Sequence, residues 1–252
     1  MRYQGSKRCM IKDLKRLIEA NAINCKYYIE PFGGGMNSFA YISHPNKIAI
    51  DINPHVIAMW RGIQKHTFTI PEKVSEKEYS DMKTDCLSGG GKYDSALLGY
   101  VGNACSNGSG WWNGYAHFNP KRNEDHIAEA RRGLLKHIEE FKGLYFAKFI
   151  HGSYNQFDYP DNSFIYCDPP YASTKGYNKN GFDSLAFWDW CRDMVEKGHK
   201  VMISEYDAPC DFVCVWEKKR KDGMGTCKEG GNQKIKIEKV FVHKSQFKSF
   251  KF

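Results

Sequence analysis

An α/β fold, with an open and mostly parallel sheet interrupted by an insert, is what this 252-residue sequence predicts. Three observations carry the prediction. Short apolar runs alternate with amphipathic segments at both ends of the chain, the rhythm of βα units. Two of those runs stop abruptly at an acid, Asp51 and Asp168. Between about Gly62 and Gly143 the rhythm lapses and then resumes, which marks residues 62–143 as an insert in a domain made of 1–61 and 144–252.

In chain order, a short polar opening leads to an amphipathic helix from Ile11 to Asn21, with Ile11, Leu14, Leu17 and Ile18 on one face. Tyr27-Tyr28-Ile29-Glu30 is a first strand, followed by the glycine-rich turn Pro31-Phe32-Gly33-Gly34-Gly35 and a short helix. Glycines there allow backbone to approach a ligand and aim amide donors at it. Lys47–Asp51 is a second strand, and Asn53-Pro54 opens a helix that buries Val56, Ile57 and Trp60. Strand, glycine turn, helix, strand and acid form the nucleoside-binding half of a Rossmann-like sheet, the acid reaching ribose hydroxyls. The order Glu-Pro-Phe-Gly departs from the G-x-G-x-x-G of dinucleotide sites and suits a mononucleoside ligand better.

Within the insert, the part between Gly89 and Asn119 is rich in Gly, Asn, Ser and aromatics, including Asn107, Trp111, Trp112 and Asn113. It reads as an adaptable contact surface or as an irregular loop capping the core. Glu124 to Phe141 is a helix with Ile127, Leu134, Leu135 and Ile138 inward. Leu144–Ile150 is the next strand and runs to Gly152-Ser153-Tyr154.

Phe164–Cys167 follows as a buried strand that must stop at Asp168, because Pro169 and Pro170 cannot donate to a ladder. Asp168 then stands at a carboxyl end, where open α/β sheets place ligands. The Asp168 carboxylate and the Pro169 carbonyl can each accept a hydrogen bond from one amino group. Tyr171 offers a flat ring for a planar base. Leu185–Glu196 is a helix bearing Phe187, Trp188 and Trp190, and Lys200–Ser204 is a strand. Phe212–Trp216 and Ile235–Val242 form a hairpin around a basic loop containing Lys218, Lys219, Arg220 and Lys221.

Composition narrows the classes. The formal net charge of +8 fits a polyanionic partner. No run approaches the ~18 apolar residues of a membrane span, and the opening residues show no export signal. With nine cysteines, an odd count, reduced thiols in a cytoplasm are expected. Cys210, Cys214 and Cys227, with His199 nearby, match no common zinc spacing, so no metal is expected.

With these blocks in place, the chain resembles the Dam-type (D12 class) adenine-specific DNA methyltransferases. The resemblance rests on Arg2-Tyr3-Gln4-Gly5-Ser6-Lys7, Glu30-Pro31-Phe32-Gly33-Gly34, Asp51-Ile52-Asn53 and Asp168-Pro169-Pro170-Tyr171, in the family's order and around an insert where the family carries its target recognition domain. It covers nearly the whole chain and is strongest to phage-type members, which implies a bacterial cytoplasm. It further implies an S-adenosylmethionine-dependent methyltransferase sheet whose last strand runs antiparallel, acting on double-stranded DNA as a monomer or weak dimer. S-adenosylmethionine would be held by Tyr3, Lys7, Glu30, Pro31, Phe32, Gly33, Gly34, Asp51, Asn53, Tyr154 and Asp168. Lys7 would face the methionine carboxylate and Asp51 the ribose. Asp168, Pro169 and Tyr171 would be catalytic, with the target adenine flipped out onto Tyr171. DNA would meet Asn107, Trp111, Trp112 and Asn113 at base edges and Lys218, Lys219, Arg220 and Lys221 at phosphates. Met36 replaces a second glycine of the family pattern, with Asn37 where a small residue is usual. Ser153 replaces an acid that meets the donor's adenine, a departure that would weaken donor binding. Adenine in RNA, the exocyclic amine of cytosine, or silent nucleic-acid binding stay open as alternatives.

Overall fold

The computed structural model describes residues 3, 7, 10–171, 182–221 and 235–251. Two compact units divide the chain, one of Met1–Glu19 and Ile29–Asp158, the other of Ala20–Tyr28 and Tyr159–Phe252. The helices are α1 (Ile11–Ala22), α2 (Pro54–Gln64), α3 (Glu76–Ser88), α4 (Ser95–Ala104), α5 (His126–Glu139) and α6 (Ser184–Glu196). The strands are β1 (Tyr27–Glu30), β2 (Lys47–Asp51), β3 (Lys148–His151), β4 (Ser163–Cys167), β5 (Lys200–Glu205), β6 (Phe212–Lys221) and β7 (Ile235–His243). Among the described residues they form a seven-stranded sheet in the order β3-β2-β1-β4-β5-β7-β6. β2 pairs with β3, and β4 with β5, in parallel. β7 runs antiparallel to both β5 and β6, so the expected reversed last strand is present. The architecture is a mostly parallel, Rossmann-like sheet.

In the first unit, α2 starts where the sequence demands. Pro54 needs no amide partner at the first helical position, and the Asn53 side chain accepts from the amides of His55 and Val56. Its buried face places Trp60 over Phe149, with ring centroids 6.2 Å apart and planes 19° from parallel. Residues 62–143, the expected insert, contain α3, α4 and α5. Ser75 and Glu78 close a capping box on α3. Residues 95–104, part of the stretch read as an adaptable contact surface or an irregular loop, form α4, capped by Asp94. This helix is apolar nearly all round, so no periodic contrast betrays it, and it is correspondingly buried. It crosses α2 closely at Gly99, where a Cβ would stand 2.1 Å from the His55 carbonyl oxygen.

Three further expectations need correction. The strand expected from Leu144 starts at Lys148, because Leu144–Phe146 forms a 3-10 turn after the left-handed Gly143. On α5 the buried stripe is Ile127, Ala130, Leu134 and His137, while Leu135 is 36% exposed. A histidine caged by the rings of Tyr41 and Trp60 takes the inward place assigned to a leucine. The basic segment Lys218–Lys221 is not a loop tip but the end of β6, paired with Glu238, Ile237, Lys236 and Ile235.

In the second unit, α6 buries Phe187, Trp188, Trp190, Cys191 and Met194, with Trp188 and Phe212 at 4.7 Å. Arg192 donates twice to Asp211, at 2.7 and 3.0 Å, and so ties α6 to the residue before β6. Asn21 and Lys251 exchange two 2.8 Å bonds that tie residues far apart in sequence.

Candidate active site

The glycine turn is held by the strand end next to it. The Gly33 amide donates to Ile50 O at 2.8 Å and the Gly34 amide to Asp51 Oδ2 at 2.7 Å. Asp51 Oδ1 accepts the Asn53 amide at 2.8 Å. Gly34 has φ +47°, and a Cβ there would meet the Tyr3 ring at 2.7 Å, so the absence of a side chain is a steric requirement. Trp60 Nε1 donates to Gly34 O at 3.3 Å and fixes the turn from α2.

Met36 does not crowd this turn. It takes φ 54° itself and is fully buried, its side chain filling the space beside Gly33. A left-handed methionine carries strain of about 1–3 kcal/mol, and its side chain leaves no room for a Cβ at Gly33.

The residues expected at the donor divide by what they touch. Glu30, buried at the end of β1, accepts the Ser38 hydroxyl at 2.7 Å. Phe32 lies against Tyr154, ring centroids 5.3 Å apart. Pro31 and Lys7 are buried. Asn53 has its side-chain oxygen committed to the cap of α2. Gly152 donates to Asp51 O at 3.0 Å, which brings the turn holding Ser153 and Tyr154 to the end of β2. Asp51 is 8% exposed. Burial pushes its carboxyl above the ordinary value, opposed by the Asn53 and Gly34 amides and by His151. Each oxygen takes one amide and keeps a second lone pair, enough to accept a hydroxyl.

In the second unit, β4 is buried at every position and delivers Asp168 at its carboxyl end. Asp168 is half-buried, while Pro169 and Tyr171 are buried. The Tyr171 hydroxyl donates to Glu238 Oε2 at 2.9 Å. Its ring packs against Tyr206 at 4.6 Å with planes 80° apart. Burial first, then the charges of Asp168 and Glu238, push the Tyr171 phenol well above its usual value. It therefore stays protonated and donating. Glu238 is not marked out by its neighbours in the sequence; it is a buried carboxylate in the same strand as the buried Val240 and Val242.

The expected DNA contacts are placed unevenly. Asn107 and Asn113 are exposed, and Asn113 Nδ2 donates to Asn107 O at 3.2 Å. Trp111 is 36% exposed and stacks on His55 at 5.9 Å. Trp112 is 4% exposed, packs on Tyr79 and donates to Cys86 Sγ. Its indole is taken up by packing against Tyr79 and by the Cys86 sulfur. Lys218 and Lys219 are exposed on β6, and Arg220 and Lys221 extend the same strand. Among the described residues no group of His, Cys, Asp or Glu is arranged to hold a metal, and no helix is long and apolar enough to cross a membrane. Cys227 lies outside the described residues.

The model of the D12 class N6 adenine-specific DNA methyltransferases matches residues 3–220. The chain is similar to Modification methylase StsI of Streptococcus sanguinis, at 28% identity over 210 residues, which cover 77% of this chain and 32% of that protein. The crystal structure of SMU.472 in complex with SAH aligns over 95% of this chain and 53% of that chain, at 14% identity and a TM-score of 0.36. The chain thus spans about a third of the curated relative it matches.

Proposed function

Because the chain belongs to the D12 class of N6 adenine-specific DNA methyltransferases, we propose that it transfers a methyl group from S-adenosylmethionine to the exocyclic N6 amine of an adenine flipped out of double-stranded DNA. The observation that carries this reading is the placement of Asp168-Pro169-Pro170-Tyr171 at the carboxyl end of β4, with the Tyr171 ring held by Glu238 and Tyr206.

The residues present fit a nucleoside-bearing donor. The Tyr3 ring lies directly against Gly34, and Asp51 keeps acceptor capacity for ribose hydroxyls. Phe32 and Tyr154 supply ring surface nearby. When bound, the donor supplies an electrophilic methyl on a positively charged sulfur, which needs no activation by the protein. The acceptor needs help, because the adenine amine shares its lone pair with the ring. Asp168 and the Pro169 carbonyl, each accepting one amine hydrogen, would bias the nitrogen toward tetrahedral geometry and direct its lone pair. The surplus proton leaves the methylated nitrogen afterwards, so Asp168 need not be a strong base.

Residues 62–143 are assigned to target recognition, with Asn107, Trp111 and Asn113 exposed in this insert. Lys218 and Lys219, with Arg220 and Lys221 in the same strand, are assigned to phosphate contact. The reaction is assigned to a cytoplasm, with the protein acting as a monomer or weak dimer. Expression in cells lacking adenine methylation, followed by methylation-sensitive sequencing, tests the reading. N6-methyladenine at a defined site is expected; unmodified DNA from cells holding folded protein would contradict it.

A further inference from the structure

Tyr171 is not a ring standing alone at the end of β4. Its hydroxyl is bonded to Glu238 at 2.9 Å, its ring packs against Tyr206, and both Tyr171 and Glu238 are buried. A carboxylate on that face of β7 is costly. Val240 and Val242 in the same strand are buried and apolar, and a buried polar group needs partners. The bond itself is a strong one, a phenol donating to an acceptor that carries charge when ionised. Tyr171 has two side-chain torsions, and the distal bond together with the Tyr206 ring restrains both.

We propose that Glu238 is a positioning residue for the acceptor base: through the Tyr171 hydroxyl it fixes the plane of the ring on which the flipped adenine stacks. This rests on the reading that Tyr171 contacts the base. Glu238 itself touches no reacting atom. Its effect is on how often the bound base lies in the orientation that Asp168 and the Pro169 carbonyl require, so it acts on kcat and leaves donor binding alone.

The test uses the full chain and duplex DNA containing the mapped site. Glu238→Gln keeps an acceptor oxygen and is expected to retain methylation within about threefold of wild type. Glu238→Leu is expected to lower kcat by about tenfold or more, with the donor Kd unchanged within about twofold. Tyr171→Phe should show the same loss, and the double variant should be no worse than Tyr171→Phe alone, because both changes remove one bond. With 2-aminopurine at the target position, Glu238→Leu should change the fluorescence of the bound, flipped base. Near-normal kcat in Glu238→Leu, or losses that multiply in the double variant, would overturn the proposal. If Glu238→Leu fails to fold, Tyr171→Phe decides: a lowered kcat supports the proposal and an unchanged one overturns it. Failure of the underlying reading looks different, since Tyr171→Ala would then also methylate at the wild-type rate.

Discussion

The amide of Gly34 donates to Oδ2 of Asp51 across 2.7 Å, linking the glycine turn after β1 to the last residue of β2. The acid therefore has two tasks. It holds the turn through the Gly34 amide, and its remaining lone pairs are what the proposed ribose contact would use.

Asp51→Ala is accordingly expected to raise the donor Kd by about tenfold or more while DNA affinity changes little, since a carboxylate on ribose hydroxyls serves the donor alone. Calorimetric titration with S-adenosylmethionine and a DNA mobility assay on the same sample check it. The pH dependence has a definite sign. Burial raises the folded-state pKa of Asp51, so acidification protonates it earlier than an ordinary carboxyl. Donor affinity should fall as pH drops, starting above the usual carboxylate range. The same shift means that the ionised form costs stability above the unfolded value, so stability contributed by this group falls as pH rises. Equal loss of donor and DNA binding in Asp51→Ala would mean that the turn has collapsed.

Lys47 predicts a second pH effect, in stability. Its ammonium is 2% exposed and donates to the carbonyls of Phe39 and Lys142, with the Phe39 ring centroid at 4.3 Å. Burial lowers its pKa from 10.5 to about 7, opposed by Glu30 and Glu19. The folded protein thus releases the proton before the unfolded chain does. The cost of the buried charge is present in full below about 7 and disappears as pH rises toward 10.5. The gain has a ceiling of about 5 kcal/mol, reduced by the carbonyls and ring faces that favour the charged form. Urea unfolding from about pH 6.5 to 10 should show a rise in stability that Lys47→Met lacks. Parallel curves for the two proteins would refute this.

On the DNA side, replacing Lys218 and Lys219 with alanine should weaken all sequences alike. It should also flatten the salt dependence by about one unit of slope for each phosphate that the variant no longer neutralises. Asn107→Ala or Asn113→Ala should instead change which sequences are methylated, because amides can pair with adenine edges. Binding isotherms at several salt concentrations and methylation sequencing separate the two effects. An unchanged slope would make this end of β6 a solvated strand only.

What could be read from the sequence follows from what is local. β1 and β2 coincide with their expected bounds, because each is a short apolar run ended by an acid and a turn. The start of α2 is encoded by Asn53 and Pro54. α4 was not legible, since its apolar surface has no period, and Gly99 and Gly102, which weaken a helix in isolation, serve close contacts with His55 and Trp111. Lys218–Lys221 look like a loop tip by charge, yet their pairing with β7 is decided by partners 14 to 20 residues away. Of the candidate site, Asp51, Asp168 and Tyr171 announce themselves by their neighbours in the chain. Glu238 does not, because its significance lies in the distant hydroxyl that it receives.

The central claim is that Asp168 promotes methyl transfer to an adenine amine, and one measurement addresses it most directly. Labelled S-adenosylmethionine and duplex DNA are incubated with wild type and with Asp168→Ala, the modified nucleoside is identified, and donor affinity is measured in parallel. Wild type should yield N6-methyladenine, while Asp168→Ala should lose about a thousandfold or more in kcat with donor Kd changed by no more than about twofold. Near-normal turnover by Asp168→Ala, or a product other than N6-methyladenine, would contradict the account.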